Sequence, residues 1–560
     1  MAADARNSQG RAAGVALVVA GLLVGFGLAH LEWAPSGPPA KAPSGPIVPP
    51  KATAESLARG AAVYERQCAT CHGEQGKGDG RAAWLLYPRP RDFTAGRFRL
   101  VSTENGQPTD EDLFRTISRG MPGSAMPAWS HLSEAERWGL VHHVRKLARD
   151  GRIAQIVAKG RTEEEAIGIA DKILTPGALV SSPPETPVGP DELARGRELY
   201  LSSCAGCHDV DGKGRKKRDL VDSSGHPILA RDFTAGVFKG GSDSVSLARR
   251  LLAGMPDTPM PSFRQTLRSD ANLWAVIHYV QSLVAQNAGL RVEASQRTIP
   301  VARVEGPVAT DAASPLWSTA RPVYLALTPL WWRDRRAEGV TVRGIHDGAK
   351  LALHFTWEDA APEDHMLGQT QFPDAAAVQF SPSLDPPFFA MGQTGEPVQI
   401  WLWKACWQRD LVSYADVEDV HPEMAVDAYP SLKDPPHGQH MAKEQFSTRG
   451  FHPDFLTATG AGNPVSTLDR RTPVESLSAQ GFGSLASHPA RFQNVDGRGE
   501  YADGVWRLVL VRDLAGAGGD DLALAPGRTV SAGFAVWDGG AGDRNGLKSV
   551  SIWHRLEIEE

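Results

Sequence analysis

Cys68-Ala69-Thr70-Cys71-His72 and Cys204-Ala205-Gly206-Cys207-His208 repeat one pattern, Cys-x-x-Cys-His, and each copy is followed at nearly the same distance by a Met-Pro. The pattern reads as c-type haem attachment. Two thiols add to the haem vinyl groups, and the adjacent imidazole is placed to ligate the iron. A methionine on the opposite side completes His/Met ligation, which favours reduced iron and fills the coordination sphere. Such iron passes electrons and binds no substrate.

The repeat extends beyond the cysteines. Leu57-Ala58-Arg59-Gly60 begins eleven residues before Cys68, and Leu193-Ala194-Arg195-Gly196 eleven before Cys204. Arg91-Asp92-Phe93-Thr94-Ala95-Gly96 recurs unchanged from Arg231 to Gly236. The first Cys and the second Met of each copy are 58 residues apart (68 to 126) and 56 apart (204 to 260). Self-similarity of this kind means two copies of one structural unit. Apolar residues at helical spacing predict helices over 54–67 and 190–203 before the motifs. Further helices are expected over 134–148 and 271–284, with Trp138 and Trp274 available to pack on a haem edge.

With these motifs in hand, residues 52–150 and 188–290 resemble class I cytochrome c. The resemblance implies two all-α cytochrome c domains. Cys68, Cys71, Cys204 and Cys207 would hold two covalent haems c, with His72 and Met126, and His208 and Met260, as axial pairs. Met121 and Met255 are the rival ligands. The family pattern favours the second Met-Pro, followed by a small residue and an aromatic, as in Met126-Pro127-Ala128-Trp129 and Met260-Pro261-Ser262-Phe263. The spare methionines then read as pocket packing. A thioredoxin-like pair would need a βαβ context, and a four-cysteine zinc site would bring its pairs closer together.

At 560 residues the chain has room for three or four domains. The net charge of −6 favours neither nucleic acid nor a disordered acidic tail. Residues 12–31 are apolar and free of charge, enough to cross a bilayer, and follow Arg6 and Arg11. An uncleaved transmembrane helix is favoured over a signal peptide, with the start cytoplasmic and the bulk exported to the periplasm from the inner membrane. Export agrees with c-type haem, which bacteria attach outside the cytoplasm. The domain reading is 1–33 membrane anchor or signal segment, 34–53 Pro-rich spacer, 54–150 first cytochrome domain, 151–189 linker with a short helix over 162–174, 190–290 second cytochrome domain, and 298–560 a β-sandwich. Arg215-Lys216-Lys217-Arg218 reads as a solvated loop, with docking to an acidic partner the lesser alternative. Cys406, the fifth cysteine, reads as a buried free thiol.

Beyond residue 298 the periodicity changes to two. Leu351, Leu353, Phe355 and Trp357 alternate with smaller or polar residues, as do Trp506, Leu508 and Leu510, and Val550, Ile552, His554 and Leu556. Alternation broken by Gly, Pro and Asp clusters predicts an all-β sandwich. Ten of the 15 tryptophans lie here. One reading makes them sugar-stacking platforms. A sharper one comes from Phe388-Phe389-Ala390-Met391-Gly392, Val398-Gln399-Ile400-Trp401-Leu402-Trp403-Lys404-Ala405, Ala535-Val536-Trp537-Asp538-Gly539 and Asn545-Gly546-Leu547-Lys548-Ser549-Val550. Together they resemble the haem-b-binding domain of the ethylbenzene dehydrogenase γ-subunit family, over about 300–560. That family includes γ-subunits of dimethyl sulfide dehydrogenase, chlorate reductase and nitrite oxidoreductase. The resemblance implies one non-covalent haem b between Met391 and Lys548, with Lys404 the competitor. A lysine ligates iron only as the neutral amine, so burial or the metal must lower its pKa. Residues 408–492 read as a polar insertion whose His421, His437, His440 and His452 fit no recognised metal site.

The implied function is a membrane-anchored triple-haem electron carrier without catalysis of its own. Its partners would be the α and β subunits of a molybdenum/iron–sulfur oxidoreductase and the cytochromes of the respiratory chain. Two alternatives stand beside it: a dihaem peroxidase-like enzyme, which needs one iron with an open position, and a dihaem cytochrome carrying a carbohydrate- or surface-binding sandwich.

Overall fold

The computed structural model describes residues 48–214, 216, 219–285, 296–333, 335–386, 391–412, 420–423, 470–518 and 521–560. Among them no helix is long and apolar enough to cross a membrane. The apolar run 12–31, His437, His440 and His452 lie outside the described residues.

The first domain is built from α1 (Ala54–Gln67), α2 (Ala69–His72), α3 (Asp110–Arg119), α4 (Glu134–Val157) and α5 (Glu163–Leu174). Four of these begin at capping boxes: Thr53 with Ser56, Thr109 with Asp112, Ser133 with Glu136, and Thr162 with Glu165. Each box satisfies backbone N–H groups that a helix start otherwise leaves unpaired. The glycine of the repeated Leu-Ala-Arg-Gly explains how the frame closes. A Cβ on Gly60 would stand 1.9 Å from the Gly139 carbonyl oxygen, so α1 crosses α4 with backbones in contact.

The second domain repeats the plan with α6 (Pro190–Ser203), α7 (Ala205–His208), α8 (Ser244–Ala253), α9 (Arg264–Leu267) and α10 (Asp270–Ser282). Gly196 meets Ala275 in the same way, at 2.0 Å from an added Cβ to the carbonyl oxygen.

Two boundaries differ from the sequence expectation. The helix expected over 134–148 runs on to Val157, because α5 gives its extra turns a partner. Ala166 and Ala170 of α5 are fully buried, and Arg149 pairs with Asp171 at 2.6 Å. The stretch read as a linker therefore covers the first domain, and Val180 N–H donates to the Ser102 carbonyl at 2.8 Å.

The C-terminal domain comprises β1 (Thr298–Arg303), β2 (Val323–Ala326), β3 (Thr328–Pro329), β4 (Gly339–His346), β5 (Lys350–Glu358), β6 (Ala375–Ser381), β7 (Val398–Lys404), α11 (Ala405–Asp410), β8 (Val474–Ala479), β9 (Ala486–Ser487), β10 (Asp496–Ala502), β11 (Val505–Asp513), β12 (Thr529–Trp537), β13 (Ser549–Val550) and β14 (His554–Ile558). One hydrogen-bonded path runs β10-β11-β5-β4-β1-β14-β12-β6-β7-β8-β9. β1 pairs in parallel with both β4 and β14, so it joins the two halves of the sheet. The halves face each other across Phe355–Phe534, with ring centres 5.6 Å apart, and Trp357–Trp403 at 6.2 Å.

Trp357, Trp401 and Trp403 are fully buried in this core and Trp506 nearly so. These tryptophans supply apolar area to the fold and present no exposed ring to a sugar. Residues 408–492 are not a single insertion, since 474–479 form β8 beside β7. The run 550–556 is interrupted as well. Ser551 accepts the Phe534 N–H at its hydroxyl, 2.9 Å, and separates β13 from β14.

The first cytochrome domain lies on the outer face of the second half-sheet. Trp129, Leu140 and Val144 share one apolar cluster with Ala377, Ile400, Val550 and Trp553.

Candidate haem centres

Each Cys-x-x-Cys-His stretch forms one short helical turn directly after a longer helix, with the first Cys between them. His72 Nδ1 lies 3.0 Å from the Arg91 carbonyl oxygen, and His208 Nδ1 3.1 Å from that of Arg231. A carbonyl only accepts, so Nδ1 carries the proton and Nε2 keeps its lone pair for a metal. Burial lowers the His72 pKa to about 4 and lowers that of His208, keeping both imidazoles neutral. Phe93 stacks on His72 with ring centres 4.5 Å apart, and Phe233 on His208 at 4.3 Å. The repeated hexapeptide thus orients the imidazole twice, through its arginine carbonyl and its phenylalanine ring. The unchanged motif was a signal of this role, although the motif does not say what it touches.

The first cavity is walled by Cys68, Cys71, His72, Met121, Met126 and apolar residues including Trp129 and Leu140. The second is walled by Cys204, Cys207, His208, Met255, Met260 and Phe263. In each, the upstream methionine N–H donates to the carbonyl of the downstream one, at 3.0 Å for both pairs, closing the loop that carries them. Two thiols, a neutral imidazole and thioethers around an apolar cavity fit a covalent haem. The structure brings both members of each methionine pair to the cavity. Met126 also packs with Cys68, Cys71 and Phe93 in the apolar cluster.

In the β domain, strand register assembles a shelf on the face beneath the first cytochrome domain. Trp537 of β12 stands opposite Ala375 of β6, which stands opposite Lys404 of β7. Two residues along, Ala535 faces Ala377, and two further, Gly533 faces Gln379. The Met391 N–H donates to the Gln379 side chain at 3.2 Å, so Met391 sits at the Gly533 end. Lys548 sits at the Trp537 end, its ammonium 4.7 Å from the ring centre. Four residues of strand, roughly 13 Å, separate the two ends. The floor between them carries side chains no larger than methyl at Ala375, Ala377, Gly533 and Ala535.

Lys548 is half-buried by its exposed surface, yet crowded enough by protein that burial alone lowers its pKa to about 8. That is the property a lysine ligand needs. Lys404 lies over the Trp407 ring at 4.3 Å, and Cys406 and Glu475 favour its charged form against a burial that lowers its pKa. A shelf of small residues between a thioether and an amine fits a haem that Met391 and Lys548 would hold. Cys406 is buried, as expected for a free thiol. His421 is exposed.

Beside the Trp537 end, Asp359, Glu363, Asp374 and Asp538 bring a carboxylate oxygen each within 4.8 Å of one another. Arg335 binds three of them, Asp538 at 2.8 Å, Asp359 at 3.1 Å and Glu363 at 3.5 Å. Asp359 Oδ2 is buried without a hydrogen-bond partner. Arg335 holds Asp538, the residue after Trp537, and the neighbouring Gly539 N–H donates to Asp374, the residue before Ala375, at 2.8 Å. No sequence pattern predicts this quartet, because its members come from three separate segments, 359–363, 374 and 538.

Residues 314–549 match the ethylbenzene dehydrogenase family, residues 55–144 the family of cbb3-type cytochrome c oxidase subunit III, and residues 193–284 the cytochrome c family. The γ subunit of dimethylsulfide dehydrogenase from Rhodovulum sulfidophilum is 25% identical over 52% of this chain and 94% of its own length. The γ subunit of chlorate reductase from Ideonella dechloratans is 24% identical over 48% and 87%. A Haloferax mediterranei protein assigned as a respiratory nitrate reductase haem subunit is 25% identical over 40% of this chain, which spans 57% of that relative's length. The chain therefore consists of two cytochrome c domains followed by an ethylbenzene dehydrogenase γ-type domain.

Proposed function

We propose that this chain is a three-haem relay subunit. Haems c would be held by Cys68, Cys71, His72 and Met126, and by Cys204, Cys207, His208 and Met260. A haem b would lie between Met391 and Lys548. One observation carries the order of the relay. The Lys548 carbonyl accepts the Leu330 N–H at 2.9 Å, and the Leu330 carbonyl accepts the Tyr87 N–H at 3.1 Å. Leu86 and Pro88, on either side of Tyr87, line the first haem c cavity. The haem b end of the shelf is thus two backbone hydrogen bonds from that cavity, while Arg99 borders both haem c cavities. Haem b, the first haem c and the second haem c would then follow one another in that order.

The likeness to γ subunits of dimethylsulfide dehydrogenase and chlorate reductase supports an iron–sulfur subunit of a molybdenum enzyme as the partner at haem b. A respiratory cytochrome would then meet the second haem c. The apolar run 12–31 and the covalent haem motifs support an inner-membrane anchor with the bulk in the periplasm. The order is tested by replacing Cys68 and Cys71 with Ser and following reduction of the second haem c after rapid reduction of haem b. Loss of that transfer is expected; unchanged transfer would contradict the order.

A further inference from the structure

The two cytochrome domains exchange arginines. Arg91 holds His72 through its carbonyl, and its guanidinium pairs with Asp257, inside the second domain's Met255–Met260 loop. Arg231 holds His208 through its carbonyl, and its guanidinium donates to the Gly123 carbonyl at 3.4 Å, inside the first domain's Met121–Met126 loop. The histidine side of each site is therefore one residue from the methionine side of the other.

Arg99 sits at the centre of this seam and forms part of the wall of both haem c cavities. It pairs with Asp222 of the second domain at 2.9 Å and approaches Asp257 at 3.8 Å. Its Nε is buried and has no hydrogen-bond partner. Lys239 borders the second cavity, and no carboxylate among the described residues pairs with it. Burial first, and then the positive charges of Arg231, Arg99 and Arg91, disfavour its ammonium form. Arg91 and Arg99 thus share Asp222 and Asp257, and Asp232 acts on Arg231. A buried guanidinium N–H without a hydrogen-bond partner, beside a lysine whose ammonium form the seam disfavours, leaves positive potential that an anionic ligand would offset.

We infer that this seam is a carboxylate-binding site for the haem propionates, shared by both cavities through Arg99, and that Arg99 raises the potentials of both haems c. The inference rests on the reading that both cavities hold haem c. A fixed cation disfavours oxidation, which adds positive charge to each iron. One cation in both walls therefore sets both potentials at once. Arg99→Gln removes it and leaves Asp222 and Asp257 uncompensated, which acts in the same direction.

The test is a redox titration of the full chain, followed by visible and electron paramagnetic resonance spectra that separate the two haems c. A haemochrome count is made first. Fewer than two haems c in the wild-type chain would end the relay reading itself. With both present, Arg99→Gln is expected to lower both haem c midpoints. The shift corresponds to about tenfold in the reduced-to-oxidised ratio, about 59 mV for one electron. Asp222→Asn, which removes an anion and leaves Arg99 in place, is expected to raise both. Should Arg99→Gln fail to load haem, the Asp222→Asn titration decides the question. A shift confined to one haem, or none, with both haems c loaded, would overturn the shared site.

Discussion

The ammonium of Lys548 lies 4.7 Å from the ring centre of Trp537, held there while its own backbone carbonyl is bound by Leu330. Lys548 follows the loop that begins at Asp538, directly after Trp537, so one loop carries both the lysine and the wall it rests on. Its pKa of about 8 comes from burial.

Lys548→Ala should therefore lose haem b and retain both haems c, while Lys404→Ala should keep all three. A proton and an iron compete for the same amine lone pair. Below about pH 8 the ammonium form dominates, so apparent haem b affinity should fall about tenfold per pH unit. Extraction of haem b by apomyoglobin across pH 6 to 9 measures this. A pH-independent extraction would argue against an amine ligand.

The methionine pairs make a second test. Met126→Ala and Met260→Ala should each abolish one of two Met–iron charge-transfer bands, whereas Met121→Ala and Met255→Ala should leave both. Near-infrared absorption of the oxidised protein distinguishes these outcomes. Loss of a band in Met121→Ala would transfer the ligand to the upstream residue.

Helix crossing gives a third. An added methyl at Gly60 would stand 1.9 Å from a backbone oxygen, which no rotamer change relieves. Gly60→Ala and Gly196→Ala should each destabilise their own domain by about 2 kcal/mol or more. Domain-resolved thermal unfolding reads the loss. Gly168→Ala, inside α5 with nothing within 4 Å of the added Cβ, serves as the clash-free control and should stabilise by up to about 1 kcal/mol.

The carboxylate quartet predicts a pH effect on the β domain. Burial and mutual repulsion raise the Asp374 and Asp359 pKa values above the ordinary 3.8. The folded state then holds more protons than the unfolded state above that pH, so stability falls as pH rises toward neutrality. In Asp359→Asn the amide can donate to a neighbouring carboxylate from the position of the unpaired Oδ2. The variant should be more stable at neutral pH by about 1 kcal/mol, with a flatter slope. Denaturant unfolding at pH 5 and 8 checks both parts.

The haem c sites were legible in the sequence because covalent attachment fixes the spacing of two thiols and an imidazole within five residues. The proposed haem b shelf rests on resemblance for its ligands. Met391 and Lys548 are 157 residues apart (391 to 548), and they share a shelf through the register of β6 and β12. The limits of α4 were not legible, because Val157 is helical by virtue of packing from α5, a tertiary effect that periodicity does not carry. Nor was the arginine exchange. Arg91 and Arg231 occupy identical hexapeptides, and their partners, Asp257 and Gly123, are set by how the two domains dock.

The central claim is three haems of two kinds in one chain. A pyridine haemochrome spectrum before and after acid–acetone extraction tests it most directly. The account predicts two haems c that remain with the protein and one haem b that is extracted. Two haems c with no extractable haem, in protein purified without haem loss, would contradict it.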